Sequence, residues 1–143
     1  AAKCIRVFGT IQLGVGTKGG AEATIHAVRK LTRLFEEDPE KAFLQIDYSN
    51  AFNSINRTIM LEQVAKVFPE YYRWVEFRYG QPSNLLAGET IIFSTTGVHQ
   101  GDPLGPLLFS LAMLPLCQEI QRQCPNLDST HGTWMTDLSW VAP

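Results

Sequence analysis

A lone acid, Asp47, closes the apolar stretch in F-L-Q-I-D-Y-S-N-A-F-N-S-I-N-R (residues 43–57), and a small residue and an aromatic, Ala51 and Phe52, follow it. Farther along, residues 97–113 read G-V-H-Q-G-D-P-L-G-P-L-L-F-S-L-A-M, a polar glycine loop that opens an apolar helix. A second acid, Asp137, stands near the C-terminus in T-W-M-T-D-L. Carboxylate oxygens converging from separate strands suit a hard divalent cation such as magnesium, which takes oxygen donors. Two such ions about 4 Å apart can clamp the attacking and leaving oxygens of a phosphoryl displacement, and one carboxylate cannot hold both. Taken alone, Asp47 has a plainer reading as a strand-end aspartate capping a turn.

Those acids need elements to place them. Residues 41–48 alternate, with Leu44, Ile46 and Tyr48 on one face and Phe43, Gln45 and Asp47 on the other, as a strand buried on one side does. Upstream, Ile25, Val28, Leu31, Leu34 and Phe35 recur at helical spacing over residues 20–38, ahead of Pro39. Asn56 can cap a helix running to about Val67, and Pro69 starts another that carries Tyr71, Tyr72, Trp74 and Tyr79 to Gly80. Those aromatics could stack on bases, but their helical spacing favours core. Ala87-Gly88-Glu89 between Leu85-Leu86 and residues 90–93 has the composition of a hairpin. Residues 103–123 predict the most buried helix, kinked or split at Pro115, and a last short strand or hairpin is expected around 131–141.

The chain of 143 residues, 45% hydrophobic and 18% charged, is ordinary for one domain that buries a core. Three cysteines without C-x-x-C spacing suggest neither a disulfide framework nor a zinc site, and fit a reduced, intracellular setting. No apolar run is long enough for a bilayer span, so no membrane partner is expected. A net charge of −2 argues against a general nucleic-acid clamp, because phosphate binding is driven by Lys and Arg displacing counterions. Lys18, Arg29, Lys30 and Arg33 read first as a solvated helix face, and any nucleic-acid contact must come from a local patch or from residues outside this sequence.

Together and in this order, the first two segments resemble motifs A and B of the reverse transcriptase palm, most closely the non-LTR retrotransposon branch. The resemblance extends upstream through Ile11-Gln12-Leu13-Gly14-Val15-Gly16, Gly19-Gly20-Ala21-Glu22-Ala23 and His26-Ala27-Val28-Arg29. It implies an α/β (α+β) fold, a small antiparallel sheet packed on helices, with residues 1–40 a remnant of the fingers and 41–143 the palm of one incomplete domain. It also implies RNA-templated addition of deoxynucleotides to a DNA primer, with Mg2+ as cofactor and Mn2+ as its substitute. Asp47, the carbonyl of Tyr48, and Asp137 would be the metal ligands, with Asp47 and Asp137 catalytic. Phe52 falls where the family closes the space beside the sugar 2′ position, and core packing is its plainer role. Gln100 and Gly101 fall on the loop beside the incoming nucleotide, which Tyr48 and Phe52 also border.

The third motif departs from the family. Aligning Met135 and Leu138 puts Thr136 in the place of the first aspartate of the pair and Asp137 in that of the second; a shifted register makes Asp137 the first and Leu138 the second. Either way one carboxylate is missing. The basic fingers motif would precede residue 1 and the thumb would follow residue 143, so polymerase activity is expected to be weak or absent. The alternative from another class is a non-catalytic retrotransposon relic acting at most as a binding module. A third reading rests on Gly14-Val15-Gly16-Thr17-Lys18-Gly19, which fits the dinucleotide-binding G-x-G-x-x-G, but residues 5–13 make a poor central strand before it. His26, His99 and His131 lack ligand spacing.

Overall fold

Asn56 shows how directly local chemistry sets this fold. Its side chain accepts from the amides of Thr58 and Ile59, at 2.9 and 3.2 Å, and so starts the helix Arg57–Val67. In this computed structural model the described residues are 2–9, 11–36, 38 and 47–123. In chain order the elements are α1 (Ala2–Phe8), α2 (Gly20–Glu36), α3 (Ala51–Ser54), α4 (Arg57–Val67), α5 (Pro69–Tyr79), β1 (Ser83–Ala87), β2 (Thr90–Ser94) and α6 (Gly105–Gln123). The fold is α+β, helices with one antiparallel pair of strands among the described residues. It divides into two compact units, Ala1–Asp47 with Leu116–Pro143, and Tyr48–Pro115.

In the first unit α1 stands where the dinucleotide reading needs a strand. Gly9, at φ +54°, ends α1 by donating its amide to the Ile5 carbonyl at 2.9 Å, the left-handed stop that glycine makes cheaply. The glycine loop then folds onto the start of α2 so closely that a Cβ on Gly20 would collide with the Leu13 carbonyl oxygen. These glycines therefore serve a loop entering a helix. Phe8 and Leu31 are buried, whereas Ile25 and Leu34, which the periodicity places on the same apolar stripe, are 43% and 52% exposed. Cys4 and Cys117 are free thiols, and burial pushes the Cys117 thiol up to about 11, so it stays protonated and unreactive.

The second unit has its core where α4 packs on α5. Met60, Val64, Phe68 and Val75 are buried there, and Leu108, Leu111 and Leu114 of α6 are buried as well. Each such side chain contributes about 1.5–3 kcal/mol by leaving water. Of the aromatics on α5 only Tyr79 is buried; Tyr71 and Trp74 are 48% and 46% exposed. β1 and β2 pair from Ser83↔Ser94 to Ala87↔Thr90 around Gly88-Glu89, and Gly88 takes φ +63° as a tight hairpin turn requires.

α6 runs as one helix through Pro115 and is not split there. Of the expected strand at 41–48, only Asp47 and Tyr48 lie among the described residues, and both stand outside regular structure. The expected strand at 131–141 lies outside the described residues. No helix among the described residues is long and apolar enough to cross a membrane.

Candidate functional site

The segment carrying Tyr48 and Phe52 turns at Asn50, the one non-glycine at positive φ among the described residues (+54°), and enters the single turn α3. Asparagine tolerates this left-handed geometry better than most residues. Its Oδ1 accepts from the Asn53 side-chain amide at 2.6 Å, which steadies the turn. The glycine loop at 97–104 is then laid against α3 by backbone bonds. Gly97 donates to the Ile55 carbonyl and Val98 to the Phe52 carbonyl, both at 2.8 Å, and the Thr96 hydroxyl donates to the Asn53 carbonyl at 2.9 Å. The approach requires glycine: a Cβ on Gly97 would overlap the Asn53 carbonyl. Phe52 stacks on Phe109 of α6, ring centroids 4.9 Å apart and planes 24° from parallel.

Behind the loop lies a polar lock that the sequence did not reveal. Arg57 is 7% exposed, and its guanidinium donates to the Gly97 carbonyl, the Ser94 carbonyl and the Ser94 hydroxyl, each at 2.8 Å. It also lies 5.3 Å from the centre of the Tyr79 ring. The Tyr79 hydroxyl donates to Asp102 Oδ2 at 2.5 Å and accepts the His99 amide at 3.2 Å. Asp102 Oδ1 accepts the Leu104 amide at 2.8 Å, and Arg78 lies 3.8 Å from Oδ2. Buried Asp102 thus ties α5 to the turn that begins α6.

Titration behaviour follows from this packing. Burial, then the hydrogen bond to Asp102, pushes the Tyr79 phenol up to about 12. Burial first, with the cations Arg57 and Arg78 adding to it, holds the His99 imidazole below its ordinary range. Its buried Nε2 has no protein partner, as a neutral ring allows. Burial also lowers the Arg57 guanidinium, which keeps its charge at any pH where the protein folds.

The structure brings some expected residues together and leaves others apart. Phe52 and the Gln100-Gly101 turn are joined through Val98, and Gln100 and Gly101 are exposed at the tip of the loop. Tyr48 is 39% exposed and lines a cavity of about 260 Å³ with Ile55, Ile59, Phe109 and Met113; Gln100 and Gly101 do not border it. Asp47 is exposed. Asp137 and Thr136 lie outside the described residues. The Asp47 carboxylate and Tyr48 carbonyl are hard oxygen donors, right in kind for magnesium but too few alone, and no group of three or more His, Cys, Asp or Glu is gathered among the described residues.

Residues missed by sequence reasoning are Arg57, Tyr79 as a hydrogen-bonding group, and Asp102. Asp102 was within the glycine-loop motif, and an acid between glycine and proline before a helix signals a turn cap. Nothing in local spacing announces Arg57, whose partners lie 37 and 40 residues away.

Residues 7–142 match a family model described as reverse transcriptase (RNA-dependent DNA polymerase). The retrotransposable element SLACS 132 kDa protein of Trypanosoma brucei gambiense is 31% identical over 143 aligned residues, covering 95% of this chain. The chain spans 11% of that relative's length. No solved structure gives a significant match.

Proposed function

Because this chain belongs to the reverse transcriptase (RNA-dependent DNA polymerase) family, we propose that it is a palm segment with a fingers remnant. In this reading it seats a deoxynucleotide against a primer and an RNA template but joins them weakly or not at all. The observation that carries the reading is the backbone lacing of Gly97 and Val98 to Ile55 and Phe52, which supports a shared nucleotide-facing surface for the two motifs.

Each residue then has a stated task. Asp47, the Tyr48 carbonyl and Asp137 would hold Mg2+, which supplies charge neutralisation at the reacting oxygens of a phosphoryl transfer. Phe52, fixed against Phe109, sets the steric wall beside the sugar 2′ position. Gln100 and Gly101 line the nucleotide from the loop tip. Gly101 holds φ +85°, and a Cβ there would have no neighbour within 4 Å, so its backbone is free to approach a ligand. Thr136 stands where a carboxylate belongs, and a neutral hydroxyl does not replace its charge.

Primer extension on an RNA template with magnesium tests this. Thr136→Asp is expected to raise extension by about 10²-fold or more over the native chain, and Asp47→Ala to abolish it in either background. Extension that survives Asp47→Ala overturns the assignment of that residue. The second reading, a non-catalytic binding module, is favoured by Thr136. It predicts nucleic-acid binding without extension in both the native chain and Thr136→Asp.

A further inference from the structure

Arg29, Lys30 and Arg33, with His26 one turn before them, share one face of α2, and all four side chains are at least partly exposed. With Leu34 they line a shallow open groove. Positions three and four apart on a helix are neighbours, so Arg29 meets Arg33 and Lys30 meets Arg33 as like charges, an arrangement that costs stability by itself. None of the three forms an ion pair among the described residues. The nearest acid on the helix, Glu36, lies one turn after Arg33, within reach of that one cation only, and forms no ion pair with it; Glu22 lies one turn before His26. A chain of net charge −2 thus keeps three cations together on one exposed helix face, none of them in an ion pair among the described residues.

We infer that this face of α2 binds the phosphodiester backbone of a nucleic-acid strand. Charge complementarity identifies the occupant: three cations spread over little more than one turn match a row of phosphates, while exposed Leu34 offers apolar contact to a sugar or base. The inference rests on the palm reading only in taking that strand to be the RNA template. The contact itself is read by binding, so an absence of extension activity leaves it standing.

The test is fluorescence anisotropy of the full chain with a labelled oligouridine of about twenty nucleotides across a salt series. Neutralising Arg29, Lys30 and Arg33 together to Gln should weaken binding at least about tenfold near 0.1 M salt and reduce the slope of log K against log salt by about 2, as three lost phosphate contacts on a single strand require. Lys66→Gln with Arg73→Gln, on α4 and α5, should leave the slope unchanged. Glutamine keeps helix propensity, and removal of like-charge neighbours should leave Tm equal or raised, with unchanged circular dichroism. If the triple variant misfolds, Arg29→Lys with Arg33→Lys must retain the slope and Arg29→Gln alone must lower it by about 0.7. An unchanged slope in the neutralised variants, or binding to vesicles of anionic lipid without binding to RNA, overturns the proposal.

Discussion

Gly97 and Gly101 both hold positive φ, +70° and +85°, yet they answer to different constraints. An added Cβ at Gly97 collides with the Asn53 backbone, while one at Gly101 meets nothing within 4 Å. Gly101→Ala should therefore cost only the left-handed backbone penalty, about 1–2 kcal/mol. Gly97→Ala should cost that and force α3 from the loop, about 3 kcal/mol or more in all, and urea denaturation of the two variants side by side checks the order. Tyr79 gives a pH prediction. Its folded phenol keeps its proton to about 12 while the unfolded one loses it near the ordinary value of 10.0, so its contribution is whole below that lower value and is lost as pH rises towards the upper one. His99, depressed when folded, acts oppositely, and its contribution falls away as pH drops below 6.5. Thermal melts across pH should show both limbs, and Tyr79→Phe should shrink the alkaline one to the part that the buried Cys117 thiol supplies, while costing about 1–2 kcal/mol at neutral pH for the abandoned partners.

At the scale of elements, the junction between β2 and α4 rests on one side chain. Arg57 serves Ser94 and Gly97 with three bonds from one planar group, a fork that lysine cannot reproduce. Arg57→Ala should cost about 3–5 kcal/mol, because buried carbonyls lose their donors, and Arg57→Lys should recover only part of this in chemical denaturation. Removing the α4 cap by Asn56→Ala should cost about 1 kcal/mol on the same assay. The cap, Pro69 at the start of α5 and the glycine of the hairpin were all legible, because each acts within a few residues of itself. α1 was not: residues 5–13 read only as a poor central strand, and seven residues with no clear apolar period leave little to announce a helix. α3 is a single turn, too short for any periodicity to register. In the candidate site Phe52, Gln100 and Gly101 are candidates by motif order. The Arg57, Tyr79 and Asp102 lock could not be found that way, since only the fold brings together groups so far apart in sequence.

Across the whole molecule, apolar surface is unevenly placed. The interior of the second unit is filled from α4, α5 and α6, while the β1–β2 ribbon keeps Leu86 at 77% and Phe93 at 64% exposure, with Leu85, Ile91 and Ile92 about half exposed. Among the described residues neither outer edge of the ribbon pairs with another strand. An open edge with apolar, β-branched residues and few charges is a template for pairing with other chains. Sedimentation velocity should show self-association that grows with concentration, and Ile91→Lys with Phe93→Lys should return the protein to monomer. That ribbon also governs how purified material ages. Concentrated stocks should shed fibrillar, dye-binding precipitate after a lag, fragments of it should shorten the lag of a fresh batch, and the doubly lysine-substituted protein should neither nucleate nor be seeded.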